Sequence, residues 1–172
     1  MDIVKVIVFF ILLILAAYFD VKNNQIPNRI TLPVTVFGFI LGALDSGFSG
    51  LFSAALGFLT GFLPCFFLFR LNGLGGGDVK LMGAVGTLAG TKFVLFTLWY
   101  SSLIGFTIAL FILIKNRQLI NGLKKSYYLI LSIFIKQKSV ENYSNDEKKS
   151  LTIPYGIAIV TGAYISFFTL CL

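Results

Sequence analysis

Histidine is absent from this chain of 172 residues, cysteine occurs twice, and seven acidic residues stand against fourteen basic ones. With no histidine there is no Ser-His-Asp triad, no Cys-His pair and no histidine-ligated zinc. Cys65 and Cys171 stand alone in apolar stretches, so the chain also lacks a Cys-x-x-Cys pair. A Ser-Lys pair finds no support, because Ser101 and Ser102 lie within an apolar run with no lysine beside them. The glycines do not match the G-x-x-x-x-G-K-[ST] pattern of a phosphate-cradling loop.

Charge is scarce as well. Only 12% of residues are charged, 57% are hydrophobic, and mean hydropathy is +0.91, which excludes a water-soluble domain of this size and indicates an integral membrane protein. In hydrocarbon the backbone must satisfy its own hydrogen bonds, and the alternation of a β-barrel is missing, so helices are expected. Apolar stretches cover residues 3–19, 30–44, 51–69, 81–90, 93–114 and 153–172. Gly90-Thr91-Lys92 interrupts the run 81–114 with a flexible residue and a charge, and is read as a tight turn between two helices. The first stretch is read as a retained helix, since its basic flank is weak and no A-x-A cleavage pattern follows.

The expected fold is therefore an all-α polytopic membrane protein, a single membrane-embedded domain over 1–172 with six transmembrane helices and a short fourth helix. Lysine and arginine mark the cytoplasmic side of membrane helices. With the N-terminus outside, all of the fourteen basic residues except Lys5 and Lys92 fall inside. Both termini are thus expected outside. Residues 115–152 read as a basic cytoplasmic loop, and within it 119–135 as an amphipathic helix on the inner leaflet. Anionic lipid is its expected partner, and nucleic acid is not required.

Against this background two acids stand out. Asp20 closes the first apolar run and Asp78 follows Gly75-Gly76-Gly77. A carboxylate set against hydrocarbon is costly unless the protein satisfies it, which makes each a candidate functional residue and the other its natural partner. The orientation puts both at the inner rim. Two carboxyls sharing a proton can activate water, one ionised to deprotonate it and one protonated to polarise a carbonyl, with no cofactor and no metal. A transporter or channel that uses Asp20 and Asp78 as cation or proton sites is the competing class, and an inactive assembly factor a further one.

Gly75-Gly76-Gly77-Asp78-Val79-Lys80 resembles the G-x-G-D signature of the type IV prepilin peptidase family, a family of intramembrane aspartic proteases. Asp20 with Gln25-Ile26-Pro27-Asn28-Arg29 is similar to that family's first aspartate and its Ile-Pro-Asn loop. Ile153-Pro154-Tyr155-Gly156-Ile157-Ala158 is similar to the Pro-Phe-Gly-Pro-Ala sequence opening its last helix, with Tyr for Phe and Ile for the second Pro. The resemblance implies cleavage of the leader peptide of prepilins or pseudopilins at the cytoplasmic membrane face of a prokaryotic cell, with Asp20 and Asp78 as the catalytic pair. It points to the short peptidase-only form, without the N-terminal methyltransferase activity and zinc motifs of some members. Pro27, Asn28, Gly75 and Gly77 are expected to shape the loops around the aspartates. For Lys80 two readings stand: it supports the ionised state of Asp78, or its stem snorkels to the interface. The G-x-x-x-G pairs Gly38/Gly42, Gly57/Gly61 and Gly86/Gly90 are read as contacts inside the bundle rather than a dimer face.

Overall fold

The computed structural model describes residues 3–23, 26–71, 73–115 and 155–171. Among them the secondary structure is helical: α1 (Ile3–Asn23), α2 (Asn28–Arg70), α3 (Gly76–Lys115) and α4 (Tyr155–Cys171). Ile3–Asn23, Asn28–Arg70 and Gly76–Phe111 are each long and apolar enough to cross a membrane, and Tyr155–Leu170 is a shorter apolar helix. Large apolar side chains such as Phe48, Trp99, Phe106 and Phe111 point outward. That exterior suits lipid, and the protein is an all-α membrane protein. The expected amphipathic helix at 119–135 lies outside the described residues, as does the basic loop beyond Lys115.

Two of the helices are longer than a bilayer needs, and both are broken. A straight α2 of 43 residues would measure about 65 Å, roughly twice the hydrocarbon core. It breaks at Ser46 and Gly47, where Gly47 takes φ 59°, a conformation that only glycine adopts without strain. Across the break the backbones of Gly42 and Gly50 come into contact, so the two arms fold back on each other. In α3 the break is at Gly90, with φ 80°, where the sequence reading puts its turn.

Residue pairs give the direction of each arm. In α1 and the first arm of α2, Lys5 forms an ion pair with Asp45, so the two run antiparallel. The second arm of α2 meets the first arm of α3 through Gly57 against Gly86 and Gly61 against Met82, again antiparallel. The second arm of α3 meets α4 through Ser101 with Gly162 and Tyr155 with Gly105. Finally α4 returns along α1, with Phe10 and Phe167 ring centroids 5.0 Å apart. At Gly57, Gly61, Gly86 and Gly162 two helix backbones approach too closely for a side chain, while Gly105 makes room for the Tyr155 ring, and these glycines work within the chain.

Residues 1–105 with 154–172 form one compact unit and 106–153 another. The core of the first unit gathers Phe9, Leu12, Leu13, Leu81, Met82, Val85, Val94 and Ile159, all fully buried. Both aspartates belong to this unit.

Candidate active site

The buried stripe of α1 runs Phe9, Leu12, Leu13, Ala16, Asp20, the three- and four-residue spacing of a single helix face. Asp20 is thus carried into the core by the same periodicity that buries the leucines, and it is only 4% exposed. Its Oδ2 accepts a hydrogen bond at 3.0 Å from the backbone amide of Ile157 in the first turn of α4. The Gly156 amide also faces this carboxylate.

Asp78 is the third residue of α3. Its amide donates to the Gly75 carbonyl at 3.2 Å, and its Oδ2 accepts from the Gly75 amide at 3.3 Å. The Asp78 side chain makes the half of a capping box in which the third helical residue reaches back to the N-cap amide, and Gly75, having no side chain, answers with its backbone carbonyl. The cap starts α3 at Gly76, ahead of the apolar run at 81–90. Hence Gly76 and Gly77 are helical, not a loop before the helix. Gly77 faces Ile26, where a Cβ would lie 3.0 Å from the Ile26 amide nitrogen. The absence of a side chain lets the segment before α2 lie directly on α3.

Asp78 is 8% exposed. The two carboxyls lie within electrostatic reach of each other. The Cys65 thiol and the Tyr155 hydroxyl are within reach of Asp78 as well. Between the end of α1 and the start of α2, a cavity of about 410 Å³ is lined by Phe19, Asn23, Ile26, Pro27 and Asn28. No group of three or more metal-ligating side chains occurs among the described residues. The site therefore offers two buried carboxyls, backbone amides on each, and a cavity at the rim.

A model of the type IV leader peptidase family matches residues 7–110, a stretch that holds both aspartates. The chain belongs to this family. A prepilin leader peptidase/N-methyltransferase of Bacillus subtilis is 37% identical over 108 residues, 61% of this chain and 43% of that protein. The protein of the same name from Vibrio cholerae is 34% identical over 94 residues, 51% of this chain and 37% of its own length. Prepilin peptidase EppA of Methanocaldococcus jannaschii is 36% identical over 90 residues, covering 51% of this chain and 25% of that protein. The chain matches less than half the length of these curated relatives. No solved structure matches it significantly. The family resemblance read from the sequence motifs is borne out.

In this leader peptidase family member, the seven residues singled out from the sequence lie around one end of the compact unit. Pro27 stands just before α2 with φ −70° and ψ 139°, extended backbone from which the helix starts, and its carbonyl accepts from the Ile30 amide at 3.1 Å. For Lys80 the structure adds a partner that neither of its two readings named. Its Nζ donates to Asn28 Oδ1 at 2.7 Å, a bridge between α3 and α2 that local sequence does not announce. Gly75 supports Asp78 through the cap described above.

Three features escaped the sequence reading. Asp45 closes the run 30–44 as Asp20 closes 3–19, so the same electrostatic argument applies to it. The structure separates them by pairing Asp45 with Lys5, at the opposite end of α1 and about 22 Å from Asp20 along that helix. Cys65, 2% exposed, reaches Asp78 only through the fold of α2. Gly156 looked like an ordinary helix-starting residue, and its contact with Asp20 is visible only in three dimensions.

Proposed function

We propose that the protein is an intramembrane aspartic endopeptidase that removes the leader peptide of prepilins or prepilin-like proteins. The observation that supports this reading is the burial of Asp20 and Asp78 at one end of one compact unit, within electrostatic reach of each other. Such a pair accommodates one proton more readily than two charges.

Catalysis then needs one carboxylate and one carboxylic acid. The carboxylate takes a proton from water as the water oxygen bonds to the scissile carbonyl carbon, while the acid donates its proton to the carbonyl oxygen. The resulting gem-diol collapses with transfer of a proton to the amide nitrogen, the C–N bond breaks, and the two carboxyls again share one proton. No covalent enzyme intermediate forms. With α2 and α3 each read as two crossings and the N-terminus outside, six arms would leave both termini outside and the aspartates at the cytoplasmic rim, a reading supported by Lys22, Arg29, Arg70 and Lys80, which then fall on the inner side. A short basic leader in the cytoplasm followed by a membrane helix would bring its cleavage point to this rim, near the cavity between the end of α1 and the start of α2. The basic inner side faces an anionic leaflet.

The test is cleavage of a purified prepilin by the purified protein in detergent, beside Asp20→Asn and Asp78→Asn. Leader removal by the parent and its loss in both variants is the expected result. Undiminished cleavage by either variant would remove the aspartic mechanism, and no cleavage of several prepilins by the parent would favour a transport function for the pair.

A further inference from the structure

Gly156 is the second residue of α4, beyond the stretch that the family model matches. A Cβ built on it would stand 2.6 Å from Oδ2 and 2.7 Å from Cγ of Asp20. Nonbonded carbons prefer about 3.5 to 4.0 Å, so any side chain at 156 displaces either the Asp20 carboxyl or the start of α4. The space that glycine leaves open is the one through which the α4 backbone reaches the carboxylate. Ile157 donates from there at 3.0 Å, and the first-turn amides of a helix have no partner within it and carry its positive end.

The two aspartates are thus held differently. Asp78 is fixed within its own helix by the amide of Gly75 at 3.3 Å. Asp20 is oriented by another helix, 137 residues further along. Its geometry depends on how closely α4 approaches α1, and that approach depends on residue 156. Backbone amides are directional donors, so they fix where the Asp20 oxygen points.

Resting on the reading of Asp20 and Asp78 as the working pair, we propose that Gly156 is a positioning residue for Asp20. Its missing side chain admits the α4 amides that orient the Asp20 carboxylate toward water and substrate. Misplacing a reacting group by about 1 Å can cost on the order of a hundredfold in rate.

The experiment compares Gly156→Ala with Gly162→Ala, both measured for kcat and KM on a purified prepilin. Gly162 lies on the same helix, where a Cβ would press on the Ser101 amide nitrogen at 2.7 Å, so this variant reports a loosened α4 with Asp20 undisturbed. The expected result is a fall in kcat of roughly ten- to a hundredfold for Gly156→Ala with KM little changed, and a much smaller fall for Gly162→Ala. Unchanged kcat in Gly156→Ala, or equal falls in both variants, would overturn the proposal. Should Gly156→Ala fold poorly, thermal midpoints decide instead. Gly156→Ala lowers the midpoint of the parent clearly more than that of an Asp20→Ala background, where the carboxyl is gone and only the Cβ of residue 20, at 3.1 Å, remains in the way. Equal lowering in both backgrounds would count against the contact. An Asp20→Asn enzyme that still cleaves removes the underlying reading, whereas an inactive Asp20→Asn beside a fully active Gly156→Ala removes only this inference.

Discussion

Lys80 Nζ donates a hydrogen bond to Asn28 Oδ1 at 2.7 Å, tying the start of α3 to the first residue of α2. The bond joins the segment that carries Asp78 to the loop that follows Asp20, so it holds the two halves of the site in register. Lys80→Met and Asn28→Ala should each lower prepilin cleavage several-fold. The double variant should lose little more than either single one, with a coupling of about 1 kcal/mol for a partly exposed bond. Independent, additive losses in the double-mutant cycle would show that the bond does not link the two elements.

Asp20→Asn and Asp78→Asn should each reduce turnover by about 10² to 10⁴, the range expected for losing a general acid or base. Stability should move the other way or not at all. Both carboxyls are almost completely buried, and a neutral amide costs less to bury than a charge. Thermal unfolding in mild detergent checks this, and a lowered midpoint in both variants would assign the pair a structural role.

Cys65 lies within reach of Asp78 but is 2% exposed. As a packing residue it should be replaceable: Cys65→Ala keeps the parent's cleavage rate, and thiol-modifying reagents leave the folded enzyme active. Loss of cleavage in Cys65→Ala with an unchanged thermal midpoint would bring the thiol into the mechanism.

The contact between Gly57 and Gly86 brings two helix backbones together. Gly57→Val should destabilise the protein by about 1 to 3 kcal/mol, the usual penalty of overpacking. At Gly73 a Cβ would lie 3.4 Å from the Leu68 carbonyl, so Gly73→Ala should change stability little. Unfolding by heat in detergent separates the two, and equal midpoints would contradict the close approach.

The proposed orientation is open to labelling. A single cysteine at position 92, introduced into a Cys65→Ala, Cys171→Ala background, should react with a membrane-impermeant maleimide in intact cells. One at position 70 should react only after the membrane is opened. The reverse pattern would place the aspartates on the outer side.

Much of the architecture was legible because its causes are local. The apolar runs, the interruption at Gly90 and the three- and four-residue spacing that carries Asp20 into the stripe of Phe9, Leu12, Leu13 and Ala16 are properties of neighbouring residues. The start of α3 was less legible, because a triple glycine reads as a loop until the Asp78 cap is seen to begin the helix at Gly76. The Lys80 contact was hidden for a related reason: its nearest acid in sequence is Asp78, but its hydrogen-bond partner in space is Asn28.

By itself, then, the sequence determined that this chain is helical and apolar enough for a membrane, where its long runs break, and which two acids have motifs of a leader peptidase family around them. Tertiary structure alone decided that the two arms of α2 fold back on each other at Gly47, and that Asp78 comes within reach of Asp20. It also decided that Asp45, equally suspect in sequence, is matched by Lys5, and that Gly156 opens the way for α4 to reach Asp20. The physical reason is that hydropathy and helix periodicity act over a few residues. The state of a buried charge depends on what the packing of distant helices places around it.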